Sequence, residues 1–511
     1  MKTRVKILFL LPALIAGSGL LLTGRVAAQN FKTLYNFTLA TGLSSTGYSL
    51  NSDGRNPYAG LAISGNTLVG TANSGGDSGW GTVFIMNTDG TGFTPVYSFS
   101  TETYIGNGIT TNADGGNPQA ALVVSGNALY GTASQLGHAG SGTVFALSLA
   151  TGYSVVHSFT ATVLIPNQTN TDYYTNGDGA NPEAGLIVSG NTLYGTAENG
   201  GTHGEGTVFK VNMDGTGFTN LHNFTAIPHA STRNSDGANP IGGLVLSGNS
   251  LYGAALNGGT NGWGTVFKVN TDGSGFATLH HFTDGSDGAL PADGLILSGN
   301  TLYGTASYGG SSSTGDGTVF AINTNGDGFT TLHIFTTQVN GTNSDGYDPR
   351  GGLVLSGNTL YGTAGSGGTN GFGTVFAVNI SGMGFKTLYT FSAVQTNSTG
   401  VYTNSDGTQP LGGLILSSNT LYGTAAFGGT NGDGTVFSLP ALGPQLTILP
   451  SGTNVVLTWT TNATGFTLES TTNLVPLVVW NTNSMAPVVI SGQNTVTNPI
   501  SSTQKFYRLI H

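Results

Sequence analysis

The chain has 511 residues, 84 of them glycine, with no cysteine, only 7% charged side chains and a formal net charge of −10. The missing cysteine excludes disulfides, thiolate metal sites and a cysteine nucleophile, and an acidic chain without a basic patch argues against nucleic acid and anionic membranes as partners. A glycine content this high suits disorder, but 38% hydrophobic residues and regularly spaced aromatics point to a packed β protein.

The first residues read as a secretory leader over 1–28. Lys2, Arg4 and Lys6 precede an apolar run from Ile7 to Leu22, and Val26-Ala27-Ala28 offers small residues for cleavage before Gln29. The alternative is an uncleaved N-terminal anchor. No later segment approaches the ~20 apolar residues of a membrane span, so no membrane insertion is expected after cleavage. Removing the leader with Lys2, Arg4, Lys6 and Arg25 leaves 9 basic against 23 acidic residues, a balance of −14. The mature chain is expected to be exported: extracellular, on the cell surface or periplasmic.

Residues 29–441 are built from a repeat. Gly-Thr-Val-Phe occurs at 81–84, 142–145, 206–209, 264–267, 317–320, 373–376 and 434–437. Each copy follows Leu-Tyr-Gly-Thr-Ala or a close variant, a Ser-Gly-Asn turn or near equivalent, and an Asp-Gly-x-x-Pro. In the fourth copy, strands are expected over Gly243–Ser247, Ser250–Ala255, Thr265–Asn270 and Ala277–Phe282. Gly248-Asn249 and Asp272-Gly273 supply the positive φ of tight hairpins, and Gly258–Gly264 is a loop. Four antiparallel strands repeated seven times predict a seven-bladed β-propeller. A β-helix competes less well, because its coils are shorter and lack paired hairpin turns. The seventh copy stops after Phe437, while Phe31–Phe37 matches the fourth strands, as at Phe385–Phe391. An N-terminal strand is therefore expected to close the ring and cover its open edge.

The unit Leu-Tyr-Gly-Thr-Ala…Gly-Gly…Gly-Thr-Val-Phe…Asp-Gly…Gly-Phe resembles the Gloeo/Verruco (GloVer) tandem repeats of secreted bacterial proteins. The resemblance covers nearly all of residues 30–437. It departs at Gln135-Leu136-Gly137, where other copies have Gly-Gly, and at Val69, where the tyrosine belongs. It implies a secreted or surface repeat protein and brings no catalytic residues with it. The blade layout is similar, more loosely, to kelch units.

Strand order places the 1–2 and 3–4 turns on one face, and the 2–3 loop and the connection between blades on the other. Between each closing Phe and the next Asp-Gly lie 15, 14, 18, 11, 4, 9 and 14 residues, so variation gathers on the second face, which is the expected binding surface. Two positions vary around the ring. Trp80, Ser141, Glu205, Trp263, Asp316, Phe372 and Asp433 precede Gly-Thr-Val-Phe, and Tyr58, Gln119, Glu183, Ile241, Ala292, Arg350 and Leu411 follow the loop proline. Tyr58, Trp80, Glu205, Trp263, Asp316, Phe372 and Asp433 are the candidate ligand-binding residues. Aromatics and carboxylates on a ring of loops suit a glycan or a surface protein, although the aromatics equally suit packing beneath neighbouring loops.

The repeated Asp53, Asp114, Asp178, Asp236, Asp287, Asp345 and Asp406 read as turn residues bonding their own backbone, with calcium ligation the alternative. His157, His222, His280 and His333 share a register with Tyr35, Tyr97 and Tyr389, which marks half-buried aromatic sites rather than bases. Three of only five glutamates, Glu183, Glu198 and Glu205, fall in the third copy with His203 between two of them. They are the candidate acid–base residues, and Glu198, His203 and Glu205 the candidate metal ligands; a solvated acidic patch is the plainer reading.

Residues 442–511 leave the repeat through Leu442-Gly443-Pro444. Strands are expected over Val455–Trp459, Phe466–Ser470, Val478–Trp480, Pro487–Ile490, Thr495–Thr497 and Lys505–Ile510, in a small β-sandwich of immunoglobulin or fibronectin type III kind. The reading as a whole is a monomeric, non-enzymatic binding or adhesion scaffold without a cofactor. A polysaccharide hydrolase or lyase using the third-copy acids is one alternative, and a structural envelope component another.

Overall fold

In the computed structural model the described residues are 31–510, apart from 45, 107–108, 166–172, 229–230, 311–314, 399, 443–445, 461–466, 473–478, 483–484, 491–492 and 500–504. The expected leader lies outside them. The described residues form strands and no helix. They divide into two compact bodies, Phe31–Ile415 with Leu421–Leu439, and Pro440–His511 with Leu416–Thr420.

The repeat body contains seven four-stranded antiparallel sheets, here units 1 to 7. Unit 4 shows how the motif dictates the strands, which run over Val245–Ser247, Ser250–Ala255, Thr265–Asn270 and Ala277–His281. Gly248 and Gly273 turn the two hairpins with φ of 56° and 88°. Gly253 pairs across the sheet with Phe267. A Cβ there would lie 2.6 Å from the phenylalanine ring, so the motif glycine makes room for the motif aromatic. Side chains alternate between faces. Leu251, Phe267 and Val269 pack with Tyr194, Val208 and Phe224 of unit 3, while Tyr252 and Val266 pack with Leu302 and Phe320 of unit 5. Each apolar layer is thus shared between consecutive units, and no unit buries its hydrophobic faces alone.

In unit 7 the strands Ile415–Ser417, Thr420–Ala425 and Thr435–Pro440 are joined by Lys32–Asn36, which pairs antiparallel with Thr435–Pro440. Tyr422 and Val436 of this sheet share an apolar cluster with Leu61, Leu68 and Phe84 of unit 1.

Three kinds of contact link each unit to the next. First, the glycine of Gly-Thr-Val-Phe lies against the loop proline of the following unit; a Cβ on Gly81, Gly142, Gly206, Gly264, Gly317, Gly373 or Gly434 would lie 2.5–2.8 Å from Pro118, Pro182, Pro240, Pro291, Pro349, Pro410 or Pro57 respectively. Second, the residue before each proline adopts the left-handed region, with φ of 53–59° at Asn56, Asn117, Asn181, Asn239, Leu290, Asp348 and Gln409. Its amide donates to the carbonyl of the residue before the preceding Gly-Thr-Val-Phe, as from Asn117 to Trp80 at 2.9 Å and from Asn56 to Asp433 at 2.9 Å. Four of these seven residues are asparagine, the side chain that tolerates this conformation best after glycine.

The third link corrects the expectation for the Asp-Gly acids. They do not close their own turns; in six units that is done by the asparagine two residues earlier, as where Asn234 Nδ2 donates to Gly237 O at 2.6 Å and its Oδ1 accepts from Gly237 N at 3.0 Å, while unit 5 has Gly285 there, whose carbonyl accepts from Gly288 N at 3.1 Å. Each aspartate instead reaches back to the fourth strand of the preceding sheet. Asp236 accepts from His222 Nε2 at 2.8 Å and from the Thr225 amide and hydroxyl. Asp178, Asp287 and Asp345 take His157, His280 and His333 at 3.0 Å. Asp53, Asp114 and Asp406 take the hydroxyls of Tyr35, Tyr97 and Tyr389 at 2.6–2.7 Å. The main-chain carbonyl of the same aspartate accepts the hydroxyl of its own unit's Gly-Thr-Val-Phe threonine, as Thr265 does for Asp236 at 3.0 Å. The histidines also stack on phenylalanines of the next sheet, His222 on Phe276 with centroids 3.5 Å apart.

In the second body the strands Thr447–Ser451, Asn454–Thr460, Gln493–Pro499 and Val488–Ile490 form one sheet, and Asn481–Thr482, Thr467–Thr471 and Phe506–Ile510 another. Leu457, Trp459, Leu468 and Val496, drawn from both sheets, form its buried cluster. The strand Thr447–Ser451 has no counterpart in the sequence expectation. The strand expected over Val478–Trp480 is not observed at 479–480, and residue 478 lies outside the described residues.

Candidate functional site

The residue after each loop proline opens into one place. A cavity of about 430 Å³ is lined by Tyr58, Gln119, Glu183, Ile241, Arg350 and Leu411, with Ala292 in the same position of unit 5. Seven equivalent backbone sites therefore deliver seven different side chains to one space. The framework beneath is tight: a Cβ on Gly60 would lie 2.7 Å from Gly413 O, and one on Gly242 would lie 2.6 Å from Asp293 O. Small residues hold the wall at the next position, Ala59, Ala120, Ala184, Gly242, Gly351 and Gly412. Unit 5 alone departs, with Asp293.

The electrostatics single out two acids. Burial pushes the Glu183 carboxyl up to about 7, assisted by the nearby Glu198 and opposed by a hydrogen bond from Gln119 Nε2 at 3.2 Å. Asp293 is pushed up to about 6 by burial, against amide donation from Gly294 at 2.5 Å and from Gly352. Asp293 lines the cavity and is half-buried. Arg350 turns its guanidinium onto Asp348, Nε donating to both carboxylate oxygens at 2.8 and 3.0 Å. Tyr58 sets its ring edge-on to Phe427, with centroids 5.8 Å apart.

The residues before Gly-Thr-Val-Phe are placed differently. Trp80 is buried at 4% exposure, packs beside Tyr48 and donates its indole N–H to Glu102. Asp316 and Asp433 are buried, and Asp433 pairs with Arg55 at 2.8 Å. Trp263 is half-buried and lies near-parallel to Tyr308, with centroids 6.5 Å apart. Glu205 accepts from the Ile227 amide at 3.3 Å, and Phe372 is half-buried. Of the candidate ligand-binding residues, only Tyr58 lines the cavity.

The third-copy acids separate in the same way. Glu183 faces the cavity; Glu198 is held by Asn199 Nδ2 at 2.9 Å, and His203 is exposed. Among the described residues no three His, Asp or Glu side chains are grouped to hold a metal. The joint site expected of Glu198, His203 and Glu205 is therefore not formed, because the Gly-rich loop carries its histidine outward while both glutamates turn to local amides.

The longer connections between units fold into hairpins. Thr103–Gly106 pairs with Ile109–Thr111, Val163–Ile165 with Tyr173–Thr175, and Gln395–Thr396 with Tyr402–Thr403. Tyr104, Ile105, Val163 and Tyr402 are exposed on them.

Asp293 is the residue that sequence reasoning missed. Its signal is a carboxylate in a register where the six other copies place Ala or Gly, visible once the copies are aligned on their prolines.

Comparison with known proteins adds family and little else. Solved structures similar to this chain include two proposed 6-phosphogluconolactonases. One, from Bacteroides uniformis ATCC 8492, is 14% identical over 88% of this chain and 99% of that one, with a TM-score of 0.41. The other, from Bacteroides fragilis NCTC 9343, is 15% identical over 89% and 98%, with a TM-score of 0.39. A chain of a nidogen/laminin complex is 17% identical over 52% and 76%, with a TM-score of 0.32. At such identity and overlap, neither activity nor ligand transfers to this chain. No curated protein matches it. The Gloeobacter/Verrucomicrobia repeat matches residues 17–231 and 225–402, and the chain belongs to that repeat family.

Proposed function

We propose that the seven units form a closed seven-bladed propeller that binds a carbohydrate in its cavity, without turning it over. The observation that carries this reading is the contrast between an invariant framework and seven different residues delivered to one space. An aromatic ring (Tyr58), hydrogen-bonding groups (Gln119, Glu183, Arg350) and aliphatic surfaces (Ile241, Leu411) together match the mixed polar and apolar faces of a sugar. Exposed tyrosines on the connecting hairpins, Tyr104 and Tyr402 among them, offer further rings for a polymer. Closure is supported by the seven glycine–proline contacts, which run from each unit to the next and from unit 7 back to unit 1. We take the C-terminal body as a β-sandwich that attaches or sorts the protein, and the chain as exported, with the propeller displayed outside the cytoplasm.

Glycan-array capture by residues 29–511, lost on Tyr58→Ala with Gln119→Ala, is the expected result. An array without signal would sink the carbohydrate reading. A second reading is favoured by one observation, the near-neutral Glu183 carboxyl, which suits a general acid. It requires polysaccharide turnover that Glu183→Gln abolishes.

A further inference from the structure

Building on the carbohydrate reading, we propose that Asp293 is the counter-ion for a protonated amine on the ligand, so that the preferred sugar carries a free amino group. The geometry is particular to unit 5. Asp293 stands where the other units have Ala or Gly, so nothing in the framework needs a carboxylate there. The side chain after its proline is Ala292, the smallest of the seven in that position, which leaves space beside the carboxyl group.

Among the described residues its hydrogen-bond partners are backbone amides. Gly294 donates at 2.5 Å, and Gly352 of unit 6 lies against the carboxylate, its Cβ position 3.2 Å from Oδ2. Among the described residues no cation is paired with Asp293. The cationic side chain on the cavity wall, Arg350, is engaged by Asp348, and the other acid, Glu183, adds no positive charge. A half-buried carboxylate matched only by neutral donors is costly, and its desolvation is offset best by an opposite charge. A neutral hydroxyl satisfies a lone pair but leaves the charge unmatched. A protonated amine supplies both, and a charge-assisted bond contributes about 1.5–3 kcal/mol against roughly 1 for a neutral one. A divalent cation is a poorer occupant, since among the described residues no three acidic or histidine side chains are grouped to hold one.

The test uses residues 29–511 and two probes, a β-1,4-linked glucosamine hexamer and its fully N-acetylated counterpart, by titration calorimetry at neutral pH. The free-amine hexamer is expected to bind about tenfold or more tightly than the acetylated one. In Asp293→Asn and Asp293→Ala that preference is expected to collapse through weaker binding of the free-amine hexamer. The alanine variant is accommodated by design of the repeat, because Ala59, Ala120 and Ala184 occupy the same place, and a melting curve confirms its fold. Equal binding of the two hexamers by the native protein overturns the proposal, as does a preference that survives in Asp293→Ala. Capture of other, amine-free sugars with no response to either hexamer overturns the amine alone. Silence toward every sugar overturns the carbohydrate reading and this proposal with it.

Discussion

The seams between units and the wall of the cavity both hold enclosed carboxylates, and the fold treats them in opposite ways. At the seams burial pushes Asp178, Asp236, Asp287 and Asp345 up, but bonds from a histidine and a threonine outweigh it and hold them below the usual carboxylate range. On the cavity wall burial prevails, and Glu183 and Asp293 rise to about 7 and about 6. An acid whose lone pairs are filled by its own chain is holding the protein together. One left short of donors beside an open space has capacity for something else.

The largest expected difference comes from deleting one acid of each kind. Asp236→Ala strips His222 and both donors of Thr225 of their acceptor, and is expected to cost about 3 kcal/mol in urea unfolding. Asp293→Ala is expected to stay within about 1 kcal/mol of the native protein, because it removes a charge without a cationic partner. Equal losses at the two sites would erase the distinction between them.

The pH dependence of stability provides a finer cut. Asp178, Asp236, Asp287 and Asp345 have folded pKa values below their unfolded value of 3.8, so their contribution is complete above that range and is lost as pH falls through the folded values. Glu183 has the reverse sign. Its folded value of about 7 exceeds 4.5, so the native state binds the proton more tightly, and the penalty for ionising it grows from pH 4.5 to 7 and then levels off. Replacing Glu183 with glutamine is expected to leave stability at pH 4 little changed and to raise it by roughly 1–3 kcal/mol at pH 8 relative to the native protein. A parallel offset at both pH values would show that the carboxyl is not held as described.

The smallest effect concerns the framework itself. Leu290 occupies the left-handed position before Pro291 with φ of 56°, where four other units have asparagine. Leu290→Asn is expected to stabilise the protein by about 0.5–1 kcal/mol, read as a rise in melting temperature.

Much of this was legible in the sequence, because the repeat writes each framework demand seven times. Gly253 opposite Phe267, the turn glycines and the missing fourth strand of unit 7 all follow from local sterics and strand pairing, which the motif exposes directly. The seam was harder to see. Asp-Gly is a turn signal, and only the structure shows that the turn belongs to Asn234 while Asp236 bonds across to His222. The two variable rings looked alike in sequence and differ in surroundings. Trp80 is covered because a long connection brings Tyr48 over it, a tertiary event without periodicity. Tyr58 and its counterparts are anchored by the proline beside them, so their register does carry through to the cavity. Asp293 broke an Ala/Gly register, which is a local signal that was present and went unread.

The pairing of Lys32–Asn36 with the strand at Thr435–Pro440 carries a consequence for how the chain comes to be folded. Asn36 and Thr430, bonded in the folded protein, are 394 residues apart in sequence. Joining such ends through a flexible chain costs about 5 kcal/mol in loop-closure entropy, a cost that shrinks as the intervening sheets assemble and shorten the effective loop. During synthesis the first strand emerges early and has no partner until the last repeat follows. A sticky edge is thus left at each end of the growing array, and two such chains are able to satisfy one another's edges. The final pairing is therefore expected to be slow, with intermolecular pairing competing more as concentration rises, and a chain with only 7% charged residues does little to keep unfinished copies apart.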